Sequence, residues 1–158
     1  MINRLFICFL IVISFSGCLK GDTNYECNYD PCAYKAPASE IQAVKDYLDQ
    51  HNITAIQHCS GLFYTIDEPG TGATPAACGG VRATYVGKLT DGTQFDANTA
   101  DFMLNGVITG WTDGIPLIKQ GGRIHLYIPP SLGYGSRSVG SIPANSILVF
   151  DVTLNTVY

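Results

Sequence analysis

The stretch GKLTDGTQFDA, residues 87–97, decides how this chain is read. Asp91-Gly92 is a strong short-range hairpin signal, because both residues tolerate positive φ at the centre of a tight turn. The flanks VRATYVGKL (81–89) and TQFDA (93–97) then become antiparallel strands. The odd feature is Phe95-Asp96. This acid has no histidine near it in sequence and no second acid beside it, so it lacks the partners of a catalytic carboxylate.

Outward from the hairpin, the period is that of strands. GLFYTI (61–66) is a first strand, followed by a Gly- and Pro-rich loop over 68–80. After TQFDA a loop leads to a short strand, DFMLN (101–105). In GVITGWTDGIPLI (106–118) the apolar residues fall at helical spacing, and Pro116 limits that helix to a short one ending near Ile115. GGRIHLYIP (121–129) alternates Ile124, Leu126 and Ile128 with Arg123, His125 and Tyr127. A long loop, 130–146, precedes the last strand, ILVFDVTLNTV (147–157). These elements predict an α+β domain: a five- or six-stranded antiparallel half-barrel sheet wrapped on a short helix. An extra helix lies N-terminal to it, over 39–52. There Ser39 and Gln42 have capping-box spacing, Ile41, Val44, Tyr47 and Leu48 form one face, and Asn52 can end it.

The 158 residues suit one domain with tails. A net charge of −4, with no Lys/Arg run, argues against a nucleic-acid partner. Residues 1–17 read as a leader: Arg4, then an apolar run from Leu5 to Ile13 too short to span a bilayer, then Ser16-Gly17. Cys18 follows directly, so the leader resembles a bacterial lipoprotein signal in which Cys18 carries the lipid anchor. Phe15 stands where such signals usually have leucine, and an ordinary signal peptide is the alternative. Leu19 carries no aspartate-type inner-membrane signal, which favours the outer membrane within the cell envelope. Residues 18–38 form a tether.

Four cysteines remain: Cys27, Cys32, Cys59 and Cys78. An even number in an exported chain suggests two disulfides. The short CNYDPC loop favours Cys27–Cys32, which leaves Cys59–Cys78. A metal site is the weaker reading, because paired CxxC spacing is missing. Nothing in the sequence calls for a cofactor. There is no Ser-His-Asp arrangement, no acid pair and no phosphate loop. What the chain has instead is a heavy load of large apolar side chains at element ends and in loops.

Their order carries a resemblance. YVGKLTDGTQFD, FML, VITGW, GGRIHLYIPPSLGYG and IPANSILVFDV resemble, in sequence order, the motifs of FKBP-type peptidyl-prolyl cis-trans isomerases over residues 60–158. With the leader, the YDPC tether and the N-terminal helix, the whole chain is similar to exported FKBP lipoproteins of Bacteroidetes-type bacteria. The resemblance implies a proline pocket. Trp111 would be its floor; Tyr85, Phe95 and Phe150 its walls; and Phe102, Val107 and Ile108 one side, with the Ile108 N–H bonding a substrate carbonyl. Tyr134 would offer its hydroxyl to the substrate backbone. Ile142 would lie in the flap above the site. Asp96 would sit at the rim, as an acceptor for the Tyr85 hydroxyl or a partner to a polarised carbonyl. Two departures bear on substrate range and macrolide affinity: a short connection between Leu104 and Val107, and a short SRSVGS flap with no aromatic or histidine at its tip.

The expected activity is rotation of Xaa-Pro bonds in exported proteins, with proline-containing polypeptides as substrates. The resemblance also implies macrolide inhibitors of the tacrolimus or rapamycin type. The alternative is a proline-binding or holding-chaperone module with little turnover.

Overall fold

The computed structural model describes residues 27–158, so the leader and Cys18 lie outside the described residues. Six strands form one antiparallel sheet: β1 (Ile56–Gln57), β2 (Phe63–Glu68), β3 (Gly80–Lys88), β4 (Gln94–Met103), β5 (Arg123–Ile128) and β6 (Leu148–Val157). Their spatial order is β1-β2-β5-β6-β3-β4. The alternation in the last strand buries Leu148, Phe150, Val152 and Leu154, which makes β6 the spine of the concave face. Val81, Ala83 and Tyr85 of β3 and Ile124, Leu126 and Ile128 of β5 continue that face on either side.

Two helices complete the fold: α1 (Ala38–Gln50) and α2 (Thr109–Gly114). A 3-10 turn, Ile115–Leu117, continues α2 at Pro116. The backbone of the short helix packs directly against side chains of β5. A Cβ added at Gly110 would come 2.6 Å from Ile128 Cγ2, and one at Gly114 would come 2.6 Å from Leu126 Cδ2. Glycine at both points lets α2 press onto β5, and this places Trp111 inside the half-barrel. The helix α1 buries Ile41, Val44 and Leu48, and its Tyr47 ring lies 6.3 Å from that of Tyr127 on β5.

The structure corrects several expectations. The hairpin loop keeps the three residues between the expected strands, with the Leu89 N–H donating to Thr93 O and enclosing Thr90, Asp91 and Gly92, but its backbone differs from the expected one. Only Gly92 takes positive φ (86°), because Asp91 instead accepts the Thr93 N–H on its carboxylate. The loop expected before DFMLN is absent. Residues 94–103 form one strand, held in register by unbroken pairing of Ala97–Met103 with Gly80–Val86. The capping box does not form either. The helix α1 starts at Ala38 with Pro37 as N-cap, so Ser39 is already inside the first turn. Glu40 instead accepts the Ser131 N–H at 2.8 Å, spending that acid on a tertiary contact. Asn52 does take the left-handed conformation just past the helix (φ 54°).

The disulfides pair differently from the spacing argument. Cys27 is bonded to Cys78 and Cys32 to Cys59, so the segment 27–32 is stapled to the domain at both ends instead of closing on itself.

Candidate functional site

The site begins at an irregularity. Gly87 of β3 pairs with Asp96, but the next residue, Lys88, pairs with Gln94. Phe95 is thus the extra residue of a β-bulge. Neighbours in a regular strand point to opposite faces, whereas here Phe95 and Asp96 both line one cavity of about 780 Å³. Gly87 makes the bulge fit. A Cβ at this position would lie 2.6 Å from the Phe95 ring and 2.7 Å from Phe150 Cε1.

The indole of Trp111 forms the cavity floor and is 4% exposed. Three rings meet it edge to face. Tyr85 is at 5.1 Å with an interplanar angle of 87°, Phe102 at 5.2 Å and 71°, and Phe150 at 5.4 Å and 80°. This geometry sets the positive edge of one ring against the negative face of another. Phe95 joins the group through Phe150, with ring centroids 5.4 Å apart. The indole N–H has no hydrogen-bond partner among the described residues.

Asp96 Oδ2 accepts the Tyr85 hydroxyl at 2.6 Å. Burial, followed by this hydrogen bond and the carboxylate's charge, pushes the Tyr85 phenol up to about 12. The hydroxyl therefore stays protonated at neutral pH, and Asp96 is occupied as an acceptor. Ile108 is the N-cap of α2 with extended backbone (φ −62°, ψ 146°). Its carbonyl accepts from Trp111 and Thr112, and its own N–H finds no backbone acceptor among the described residues.

Tyr85, Phe95, Asp96, Phe102, Val107, Ile108, Trp111, Tyr134, Ile142 and Phe150 all line this one cavity. They come from β3, β4, α2, β6, the connection before α2 and the loop between β5 and β6. The flap is a tight turn in which Val139 and Ile142 exchange backbone hydrogen bonds of 3.0 and 2.9 Å around Gly140 (φ 57°). Sequence reasoning missed Arg137 and Val139, which also line the cavity from the flap. Both lie in a loop without periodicity, so no local signal marks them. A second group, Cys32, His58 and Cys59, has its ligand atoms within 4.8 Å of one another. Both sulfurs are consumed by the Cys32–Cys59 disulfide, which leaves no thiolate to hold a metal.

An open antiparallel sheet closed over a short helix, with a cavity of aromatic rings above that helix, defines the class. The family model for FKBP-type peptidyl-prolyl cis-trans isomerases matches residues 72–155, and the chain belongs to that family. It is 48% identical over 100 residues to the FKBP-type peptidyl-prolyl cis-trans isomerase FkpA of Aeromonas hydrophila, covering 60% of this chain and 37% of that protein. The crystal structure of FkpA from Escherichia coli superposes with a TM-score of 0.69 at 40% identity, covering 76% of this chain and 60% of the other. A peptidyl-prolyl cis-trans isomerase from Pseudomonas syringae gives 0.67 at 32% identity, covering 78% and 97%. The match thus spans about 37% of the length of the curated FkpA relatives.

Proposed function

We propose that this protein is a peptidyl-prolyl cis-trans isomerase that turns Xaa-Pro bonds in the aromatic cavity. One observation carries the reading: Tyr85, Phe102 and Phe150 stand edge-on around a buried Trp111 beneath an open cavity. The reaction breaks no covalent bond. Its barrier of roughly 18–20 kcal/mol comes from amide resonance, which is lost at the perpendicular geometry. The planar amide is the more polar form, so contact with the apolar aromatic walls in place of water disfavours it relative to the twisted one. The prolyl ring would rest on Trp111 between the walls. The Ile108 N–H and the Tyr134 hydroxyl would hold the flanking carbonyls, and Ile142 would cover the site. Asp96, holding the Tyr85 hydroxyl, supplies a fixed negative end at the rim rather than a proton route.

The same cavity is proposed to take macrolides of the tacrolimus or rapamycin type, and proline-containing exported polypeptides as substrates. We further propose that Cys18 is acylated and anchors the protein in the cell envelope, at the outer membrane. The run Leu5–Ile13 ending at Ser16-Gly17-Cys18 supports that reading.

The test is NMR exchange on a Phe-Pro peptide with wild-type protein and Trp111→Phe. Wild type should accelerate exchange far above the uncatalysed rate. The smaller floor should lower kcat/KM about tenfold, equivalent to about 1.4 kcal/mol of transition-state stabilisation. Tight peptide binding without acceleration in wild type would make the cavity a proline-binding module and end the enzyme reading.

A further inference from the structure

The N-terminal segment reaches α2, the helix that carries the pocket floor, at a residue no pocket motif marks. The Tyr29 hydroxyl donates to Asp113 Oδ1 at 2.6 Å, across 84 positions of sequence. Asp113 lies in α2, two residues after Trp111, and is 3% exposed. Its other oxygen has no hydrogen-bond partner among the described residues. The carboxylate also sits in the last turn of α2, where exposed carbonyls make a negative charge unfavourable. Tyr29 is thus the hydrogen-bond donor that stabilises a charge poorly placed in every other respect.

The position of Tyr29 is fixed independently of this contact. Cys27, two residues before it, is bonded to Cys78, and Cys32, three residues after it, to Cys59. Tyr29 as a residue remains 36% exposed, so its defined contribution is the hydroxyl rather than core volume. Asp113 is inside the region matched by the family model, whereas Tyr29 is far outside it. A buried carboxylate without its donor is left with both oxygens unsatisfied and shifts toward water. In a helix of six residues, such a shift carries Trp111 with it.

We propose that Tyr29 is a positioning residue for the isomerase site: through Asp113 it fixes α2 and holds Trp111 against Tyr85, Phe102 and Phe150. This rests on the isomerase reading above. Disulfide-bonded full chain is compared with Tyr29→Phe and with Tyr29→Phe/Asp113→Asn. The chain has a single tryptophan, so its emission reports the pocket floor directly. In Tyr29→Phe, kcat for a Phe-Pro peptide should fall roughly fivefold with KM little changed, because a displaced Trp111 stabilises the twisted amide less while still accepting the prolyl ring. The Trp111 emission should shift to the red. Replacing the charge by a neutral amide in the double variant should restore both. The proposal is overturned if Tyr29→Phe lowers only the melting temperature while kcat and emission stay at wild-type values. It is equally overturned if the double variant restores neither. A red shift in Tyr29→Phe, when wild type itself shows no turnover, would retain the positioning role and sink the isomerase reading instead.

Discussion

At the residue scale, the lone acid beside an aromatic ring has its partner eleven positions upstream. Asp96 accepts the hydroxyl of Tyr85, whose own ring packs against Trp111. The pairing has a pH signature. The phenol titrates near 10 when unfolded and is raised to about 12 in the native protein. Above pH 10 the unfolded chain releases this proton while the native protein keeps it. The stabilisation is therefore complete below pH 10 and is lost as the pH rises through about 12. Denaturant midpoints of wild type and Tyr85→Phe should accordingly converge across that interval. A gap that stays constant from neutral pH to the top of the interval would show that the hydroxyl gains nothing from Asp96. Asp96 was legible in the sequence as unusual, and the family resemblance offered the Tyr85 hydroxyl as one of two partners; the structure selects it. Tyr85 and Asp96 meet only because β3 and β4 pair in one register.

At the element scale, the β4 bulge is the feature on which the cavity depends. It turns Phe95 and Asp96 to the same side, and Gly87 leaves room for the rings that result. Gly87→Ala should therefore push Phe95 away from Phe150. Overpacking of this kind costs typically about 1–3 kcal/mol, and Phe-Pro peptide affinity by calorimetry should weaken with it. Unchanged stability and affinity in Gly87→Ala would show that the rings are not packed on this glycine. The hairpin signal at Asp91-Gly92 gave the strand pair and the three-residue loop, but not which residue takes positive φ: only Gly92 does. An Asx contact from Asp91 competes with positive φ at that residue, and composition alone does not decide between them. The capping box failed for a similar reason. Ser39 and Gln42 had the right spacing, but the N-cap is Pro37, two residues before Ser39, and Glu40 found a partner at Ser131.

At the scale of the whole molecule, the two disulfides bind the 27–32 segment to the domain. Cys27–Cys78 spans 51 positions and Cys32–Cys59 spans 27. By chain entropy, each should stabilise by roughly 3.5–4 kcal/mol, the longer loop slightly more. Non-reducing peptide mapping should recover the 27–78 and 32–59 pairs. Thermal melts of the paired Cys→Ser variants should show a larger loss for 27–78. Recovery of a 27–32 peptide would contradict this arrangement and detach Tyr29 from its brace.

The sequence by itself determined the strand periods, the short helix stopped at Pro116, and the ordered set of aromatic residues that places the chain in its family. Each of these is written in local spacing, or in motifs whose order survives without coordinates. Only the tertiary structure decided the disulfide pairing, the continuity of β4, the bulge that aims Phe95 and Asp96 together, and the contact of Tyr29 with Asp113. The physical reason is the same in each case. These features depend on the distance and register between segments far apart in the chain, and packing the half-barrel around α2 sets both.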